Sequence, residues 1–359
     1  MIRFGILGPG KVAHLHAAAL SRIDGARLVA VAGRNEERTR SFAAAHGARP
    51  AGSLDEMLAR GDVDAVILCT PHPLHAEQAI AAARGGAHVV VEKPMALTPA
   101  ECDGMIAAAN DAGVVLSVIS QRRWYEAVRR VRAAIESGEI GDPALATVEV
   151  LGWRGPEYYA MDAWRGTAAG EGGGVLVNQA VHQLDLVRWF MGDAVEVDAW
   201  TANVNHPDIE VEDSAVAIVR FANGGLASII ASNSQNPGLY ARVHVHGRGG
   251  ASIGVETDGG SIFVAGVTSP TLARNDLWTI PGQEALPERW EVEDRAAVAG
   301  VDLDSHYHEL QLRDVVGAIN ERRPPAIDGL DGRATVELFW AIYQASASGR
   351  RIHLPASGA

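Results

Sequence analysis

The first third of the chain repeats one unit: a short apolar run rich in β-branched residues, a loop, and an Ala-rich amphipathic segment. Because strands and helices that alternate in this way are joined by right-handed crossovers, the strands are expected to lie parallel. The pattern predicts a doubly wound parallel sheet in an N-terminal domain over residues 1–121. The predicted strands begin near Ile2, Arg27, Asp64, Ala87 and Val114, and the predicted helices near Lys11, Asn35, Ser53, His72 and Thr98.

The pattern changes after Ser120. Residues 124–137 have the apolar spacing of one amphipathic helix. Two alternating strands are predicted over 211–221 and 226–231, and Asn223-Gly224 between them is a strong hairpin signal. These elements predict a C-terminal α/β domain over 122–359 with a large, mostly antiparallel open sheet. Further strand-like runs begin near Ala241, Ala251 and Ser261, and late helices are predicted over 304–320 and 331–347.

The balance of charge limits the class of partner. The chain has 44 acidic and 31 basic side chains, and a net charge of −13 repels phosphate backbones, so we do not expect nucleic acid as a partner. The sequence enters a strand at once, without a basic leader segment, and no apolar stretch is long enough to cross a bilayer. We therefore expect a cytoplasmic protein with no membrane partner. Cys69 and Cys102 are too few for a disulfide framework.

A glycine-rich turn stands between the first strand and the first helix, with the sequence Gly8-Pro9-Gly10-Lys11-Val12-Ala13. Gly8 and Gly10 permit a tight turn and a close approach of a pyrophosphate to the helix N-terminus. Ala13 suits the contact between helix and sheet. This context is typical of a dinucleotide-binding Rossmann fold, and it predicts that Gly8, Gly10, Lys11 and Val12 bind the cofactor.

The end of the second strand bears on the choice of cofactor. A carboxylate there would accept hydrogen bonds from the adenosine ribose, but the sequence has Gly33-Arg34 instead. The guanidinium of Arg34 suits adenine stacking or a 2′-phosphate, which slightly favours NADP over NAD. If Arg34 is only a solvated surface residue, both cofactors are expected to bind.

Lys93 is the candidate catalytic residue. It follows the apolar run Val89-Val90-Val91 and Glu92, and precedes Pro94, so it lies at the carboxyl end of a buried parallel strand, where ligands of such sheets bind. The alternative is a solvated ion pair. Thr70-Pro71 and His75 close another strand and suit the nicotinamide side of the cofactor, or form an ordinary helix-entry loop. Their spacing supplies no zinc ligand set, and no metal is expected.

Polar side chains also cluster in the second domain. If 176–189 is helical, Asn178, His182 and Asp185 share one helix face, which we interpret as the border of a cavity. An aromatic stretch just before it suits the apolar face of a sugar ring, or packing on the sheet. That stretch contains Trp153, Tyr158, Tyr159, Trp164 and Arg165.

Together these segments resemble the Gfo/Idh/MocA oxidoreductases over nearly the whole chain. The resemblance implies NAD(P)-linked oxidation or reduction of a sugar, sugar derivative or cyclic polyol. It also implies a homodimer or homotetramer built through the C-terminal sheet. The matching segments are the glycine turn with His16, Thr70-Pro71 with His75, Glu92-Lys93-Pro94, Trp164-Arg165-Gly166-Thr167, Gly172-Gly173-Gly174, His182, Asp185 and 328–333.

The resemblance assigns Lys93 and His182 as the catalytic residues. One departure is Asn178, where many members carry aspartate, because an amide cannot accept a proton or stabilise imidazolium by charge. Asn178 is instead expected to hydrogen-bond the substrate. The remaining predicted cofactor contacts are Gly33, Arg34, Thr70, Pro71, His75, Glu92, Lys93, Gln121, Trp164 and Arg165, and the predicted substrate contacts are Lys93, Tyr158, Asn178, Gln179 and His182.

The leading hypothesis is hydride transfer between nicotinamide and a secondary alcohol, with Lys93 or His182 moving the proton. A binding-only sensor or scaffold is an alternative suggested by Asn178. An NAD-dependent glycoside hydrolase of the same fold is another. A zinc hydrolase built on His306-Tyr307-His308-Glu309 is the most remote.

Overall fold

The computed structural model of the chain describes residues 1–258 and 272–355, so the strand predicted near Ser261 lies outside the described residues. The strands are β1 (Ile2–Leu7), β2 (Ala26–Ala32), β3 (Arg49–Ala51), β4 (Ala65–Leu68), β5 (His88–Val91), β6 (Leu116–Val118), β7 (Pro143–Leu151), β8 (Ala194–Ala202), β9 (Ser214–Phe221), β10 (Leu226–Ser232), β11 (Tyr240–Gly247), β12 (Ser252–Asp258), β13 (Arg274–Trp278) and β14 (Ile352–His353).

The α-helices alternate with the strands in the first third and are more scattered afterwards. They are α1 (Lys11–Leu20), α2 (Glu36–His46), α3 (Leu54–Leu58), α4 (His75–Arg84), α5 (Pro99–Ala112), α6 (Glu126–Glu136), α7 (Pro156–Ala160), α8 (Ala168–Glu171), α9 (Val175–Asn178), α10 (Val181–Met191), α11 (Leu286–Ala297), α12 (Leu303–Glu321) and α13 (Gly329–Ser348). No helix within 1–258 or 272–355 has both the length and the apolarity needed to cross a membrane.

The chain divides into two compact units. The first contains Met1–Gln121 and Asp302–Val336, and the second contains Arg122–Val301 and Glu337–Ala359. The first unit therefore includes residues 302–336, which the sequence pattern alone placed in the second domain. The reason is packing, since Leu312 and Val315 of α12 join the apolar core of the first unit.

The first unit is built on a six-stranded sheet in the order β3-β2-β1-β4-β5-β6, with every pair parallel. This confirms the predicted doubly wound sheet. The order reverses between β1 and β4, which is where such sheets bind ligands, at the carboxyl ends of their strands. The short strand β3 was not predicted, because three residues carry too little periodicity.

Side-chain caps begin three helices of this unit, α2, α3 and α5. Asn35 Oδ1 accepts a hydrogen bond from Arg38 N at 2.8 Å, and Ser53 Oγ accepts one from Glu56 N at 3.1 Å. Thr98 and Glu101 form a reciprocal capping box at the start of α5. Each such cap stabilises its helix by about 1 kcal/mol, so local sequence fixes where these helices start.

The second unit is built on an eight-stranded sheet in the order β13-β12-β11-β7-β10-β9-β8-β14. Within 1–258 and 272–355, β7 with β10 is its one parallel pair, which confirms the predicted, mostly antiparallel sheet. The predicted hairpin is also present, with Gly224 at φ +82° in the turn between β9 and β10. Along β9 buried and exposed side chains alternate, so one face of the sheet is packed and the other is open.

Candidate functional site

The glycine turn after β1 has the form that a bound pyrophosphate requires. Gly8 has φ +96°, and a Cβ there would lie 2.7 Å from the carbonyl oxygen of Cys69. Gly10 is the N-cap of α1, and apart from its two chain neighbours no described heavy atom lies within 4 Å of where its Cβ would be. The space beside the N-terminus of α1 is therefore open at Gly10, which fits a phosphate group.

Gln121, at the end of the N-terminal segment of the first unit, adds a second feature that fits the cofactor. Its Oε1 is buried and finds no hydrogen-bond partner within 1–258 and 272–355. A buried polar atom without a partner costs free energy unless a ligand or water satisfies it. The carboxamide of a nicotinamide is a donor of the required kind, so both features accommodate the predicted cofactor.

Gly33 and Arg34 follow β2, as predicted. A Cβ on Gly33 would lie 2.5 Å from Pro9 Cδ, so packing against the glycine turn already requires glycine at this position. The side chain of Arg34 is exposed. The structure thus provides a reason for Gly33 that is independent of the cofactor, and it leaves Arg34 in solvent beside the turn.

Glu92 directly precedes Lys93 at the end of β5 and is only 7% exposed. Its Oε1 lies 2.7 Å from His16 Nε2 and 4.0 Å from His308 Nε2, while its Oε2 accepts a hydrogen bond from Lys93 N at 3.1 Å. Burial raises the pKa of Glu92, but the hydrogen bond from His16 and the charges of His16, His308 and Lys93 outweigh burial and hold the pKa at about 2. The ionised carboxylate therefore faces partners inside the protein. These contacts give Glu92 a positioning role at the end of β5, and its predicted contact with the cofactor stays a prediction.

His75 is likewise turned inward. Its Nδ1 lies 2.9 Å from the carbonyl oxygen of Pro94, and its Nε2 lies 2.9 Å from that of Thr70. Burial lowers the pKa of His75, and a neutral imidazole donates to only one of these carbonyls at a time. The ring connects the loops that follow β4 and β5. The side chain of His75 thus holds the Thr70-Pro71 and Lys93-Pro94 segments together, and its contact with the cofactor stays a prediction.

His16, Glu92 and His308 also form a group of potential metal ligands, with ligand atoms within 4.8 Å of one another. The separation of 2.7 Å between His16 and Glu92 is that of a hydrogen bond, which accounts for the cluster without an ion. The zinc set hypothesised on 306–309 is not assembled, because Glu309 pairs with Arg22. Sequence spacing alone did not indicate this cluster, since its members lie far apart along the chain.

The stretch that contains Asn178 and His182 is not the single helix expected over 176–189. α9 ends at Asn178 and α10 begins at Val181, with the break at Gln179 and Ala180. Asp185 is not on a cavity wall either, because it forms a buried two-point ion pair with Arg123 at 2.8 and 2.6 Å. Asp185 therefore anchors α10, and the predicted shared face of three polar residues was wrong.

Tyr158 is the centre of a polar cluster in the second unit. Its ring is 5% exposed, and its hydroxyl oxygen accepts hydrogen bonds from Asn178 Nδ2 at 3.0 Å, from Gln179 Nε2 at 3.1 Å and from Arg165 Nη1. The guanidinium of Arg165 also lies 4.3 Å from the centre of the ring. Burial raises the pKa of Tyr158, so the group is a neutral phenol. The structure thus brings together three residues that were predicted to contact the substrate, Tyr158, Asn178 and Gln179, and adds Arg165, which was predicted to contact the cofactor.

Three members of this cluster were missed. Glu171 Oε1 accepts a hydrogen bond from Asn178 Nδ2, and Asn233 Nδ2 donates to Gln179 Oε1 at 2.9 Å. Arg154 lies on the Tyr158 ring, with its guanidinium 5.2 Å from the ring centre. The available sequence signal was the place of Glu171, directly before the three glycines. Trp164 lies beside this cluster, with Arg165 over its ring at 4.6 Å.

Packing requires two of the glycines at 172–174. A Cβ on Gly174 would overlap the carbonyl oxygen of Glu212, and one on Gly173 would overlap the Tyr343 hydroxyl. The Glu212 carboxylate accepts hydrogen bonds from Gly174 N at 2.8 Å, Leu176 N at 3.0 Å and Tyr343 Oη at 2.8 Å. Glu212 therefore fixes the start of α9, and with it the backbone that carries Asn178.

Comparisons with known proteins agree with this architecture. Residues 2–120 match the family described as "Oxidoreductase family, NAD-binding Rossmann fold", and residues 128–252 match the "GFO/IDH/MocA C-terminal domain". Inositol 2-dehydrogenase of Rhizobium meliloti (strain 1021) is 31% identical, over 98% of this chain and 99% of its own. The 1,5-anhydro-D-fructose reductase of Ensifer adhaerens is 29% identical, over 98% of both chains.

Solved structures show the same similarity. The WlbA dehydrogenase from Bordetella pertussis, in complex with NADH and UDP-GlcNAcA, is 34% identical with a TM-score of 0.87. The alignment covers 99% of this chain and 98% of that one. The similarity therefore extends through both units.

Proposed function

This chain belongs to the GFO/IDH/MocA family of NAD-binding oxidoreductases, and from that premise we propose that it oxidises or reduces a sugar, sugar derivative or cyclic polyol at a secondary hydroxyl or ketone. The observation that carries the proposal is one edge of the parallel sheet. The glycine turn follows β1 and Lys93 follows β5, with β4 between them. A strand spacing of about 4.8 Å separates β1 from β5 by about 10 Å along that edge. A phosphate cradle and an amine thus stand at the same ligand-binding edge.

We propose that the predicted set of residues holds the cofactor, with His75 and Glu92 acting mainly by positioning the loops after β4 and β5. When bound, the nicotinamide supplies the hydride acceptor or donor. Gly8 and Gly10 leave room for the pyrophosphate, and Lys11 adds a positive charge at the start of α1. We retain the slight preference for NADP as a proposal, which Arg34 supports by offering an exposed guanidinium after β2.

Lys93 and His182 are proposed to move the proton that accompanies hydride transfer. In oxidation, a neutral amine at Lys93 Nζ accepts the hydroxyl proton of the substrate, and in reduction the ammonium returns it. Free lysine has a pKa of about 10.4, so this role requires burial or nearby positive charge. His182, which is buried in α10, is proposed to hydrogen-bond the reacting or adjacent hydroxyl.

The test measures single-turnover hydride transfer in Lys93→Met and His182→Ala, with cofactor affinity measured separately. Suitable probes are myo-inositol, 1,5-anhydro-D-fructose and UDP-GlcNAcA, each with both cofactors. We expect Lys93→Met to lose about 10²- to 10⁴-fold in rate while it still binds cofactor. The chain has two lysines, and the matched variant Lys11→Met is expected to raise the cofactor KM with little effect on hydride transfer. A wild-type rate in Lys93→Met refutes the assignment.

The assembly and the location of the protein also remain proposals. The open face of the second sheet carries an apolar row in which Trp200 lies opposite Val216 and Val216 opposite Ile230. Trp200 is 69% exposed, which supports a homodimer or homotetramer formed through this face. We retain the cytoplasmic location as a proposal, and the negative net charge supports the absence of nucleic acid or anionic membrane partners.

A further inference from the structure

Glu171 is a buried carboxylate to which the mechanism above gives no role. It ends α8 and is 2% exposed. Its Oε2 accepts a hydrogen bond from Gly166 N at 2.6 Å, and its Oε1 accepts one from Asn178 Nδ2. Because each oxygen faces an N–H donor, the ionised form satisfies both contacts.

The side-chain amide of Asn178 has one orientation in these surroundings. Its nitrogen donates to Glu171 and to the Tyr158 hydroxyl. If the amide were turned over, its oxygen would contact a carboxylate oxygen, which places two acceptors together. The amide dipole is therefore fixed, with its positive end on the carboxylate and its negative end, Oδ1, on the opposite side of the group.

The second acceptor of this amide is itself held in place. The Tyr158 hydroxyl also accepts hydrogen bonds from Gln179 and Arg165, and Gln179 is held in turn by Asn233. A hydrogen-bonded network of this kind resists rotation of any one member. The orientation of Asn178 is thus determined by the network and not by its own rotamer preference.

We propose that Glu171 is a positioning residue of the substrate site, and that the Glu171–Asn178 pair provides through one hydrogen bond the negative polarisation that an aspartate at position 178 would provide directly. This inference rests on the proposed function. Asn178 Oδ1 accepts a hydrogen bond from a hydroxyl group of the substrate, and the carboxylate behind the amide strengthens that acceptor. The pair orients the hydroxyl and transfers no proton itself, since an amide cannot do so.

The test exchanges the two groups. Glu171→Gln removes the charge at constant shape, and Asn178→Asp places two carboxylates in contact. Each single variant is expected to lose about 10- to 100-fold in kcat, with the cofactor KM unchanged. In the double variant Glu171→Gln/Asn178→Asp the two groups are exchanged, so that the carboxylate lies at position 178 and the amide at position 171. The double variant is expected to exceed both single variants in kcat by about tenfold or more.

Two kinetic outcomes overturn the inference. One is a wild-type kcat in Glu171→Gln, and the other is a double variant whose loss equals the product of the two single losses. Glu157→Gln is the matched control, since Glu157 is an exposed carboxylate on nearby α7 and its loss is expected to leave kcat unchanged. If the wild-type chain turns over none of the three probes, the proposed function fails, and the inference is then judged by unfolding alone.

The unfolding test needs no substrate. In Asn178→Asp the paired carboxylates repel when both are ionised, so one of them holds a proton more tightly in the folded state. The Asn178→Asp variant therefore loses stability as pH rises. We expect the melting temperature of this variant, relative to the wild type, to fall between pH 5 and pH 8. This fall is expected to disappear in the double variant. If it persists there, Glu171 is not the partner of residue 178 and the inference is wrong.

Other groups around Glu171 are not expected to cause the same fall in melting temperature between pH 5 and pH 8. The charge of Glu171 acts on Tyr158, Tyr159 and Tyr343, but burial is the main cause that raises the pKa of each, so they stay neutral from pH 5 to pH 8. Arg154 and Arg165 keep their charge throughout. Burial also raises the pKa of Glu212. Glu212 is present in every variant compared, so its contribution to the pH dependence of stability cancels.

Discussion

Replacing His308 with glutamine should reduce the loss of stability that the protein suffers in mild acid. Burial and the neighbouring charge of His16 lower the pKa of His308 from 6.5 to about 4. The folded state therefore keeps this ring neutral, whereas the unfolded chain protonates it below pH 6.5. The stabilisation is fully present above pH 6.5 and is lost as pH falls toward 4. Glutamine cannot titrate, and its amide N–H can replace the contact that His308 Nδ1 makes with the Asp304 carbonyl at 3.1 Å.

The size of the stability change follows from the difference between the pKa values of His308 in the unfolded and folded states. Each pH unit between the two pKa values changes stability by about 1.4 kcal/mol, so lowering the pH from 7 to 5 costs the wild type about 2 kcal/mol through His308 alone. For a chain of 359 residues that corresponds to about 3 °C in melting temperature. Calorimetry at the two pH values measures the difference between the wild type and His308→Gln. His306→Gln, two residues away on α12, serves as the control and should keep the wild-type dependence. An equal acid shift in wild type and His308→Gln would refute the reasoning, because it would mean that burial and His16 do not hold His308 neutral.

Three further predictions concern the cofactor turn, the choice of cofactor and the open sheet. Gly10→Ala should fold with an unchanged melting temperature, because apart from the chain neighbours no described heavy atom lies within 4 Å of the new Cβ. Calorimetric titration of this variant should nevertheless show weaker cofactor binding. Gly8→Ala, with φ +96° and a clash with Cys69, should instead lose about 1 to 3 kcal/mol in urea unfolding. Arg34→Leu should lower kcat/KM for NADP relative to NAD by about tenfold, and an unchanged ratio would assign Arg34 to the solvent. Trp200→Asp should reduce the mass measured by light scattering to that of a smaller assembly, whereas Arg220→Asp, an exposed charged position on the neighbouring strand β9, should do so less.

Local periodicity was sufficient to predict the parallel sheet, its helices and the β9–β10 hairpin, because each of these elements is specified by residues close together in sequence. The position of α12 was not predictable in this way. Leu312 and Val315 show only that one face of the helix is apolar, and nothing in their spacing says which unit they cover. The pairing of His16 with Glu92 escaped notice for the same reason, since 76 residues separate them. The break at Gln179 was also missed, because the helical pattern continues through it and the break depends on contacts with Tyr158 and Asn233.

The same distinction explains the glycines. Gly10 is a glycine that leaves a space, and the sequence motif identified it correctly as part of an open turn. Gly33 and Gly174 are required by close packing, because Pro9 and Glu212 occupy the positions that side chains would take. A motif does not distinguish these two uses, whereas the structure does, and only the first use points to a ligand.

One chain of contacts in the first unit joins the cofactor turn to Lys93. α1 begins at Lys11, directly after Gly10, and carries His16 in its second turn. His16 donates to the Glu92 carboxylate, whose other oxygen receives the backbone N–H of Lys93. Because all three residues lie on buried or partly buried backbone of one packed unit, α1 and the Lys93 backbone are held in one arrangement by two hydrogen bonds. The carboxylate of Glu92 thus fixes the position of the Lys93 backbone as well as acting by its charge, which accounts for a glutamate at this place.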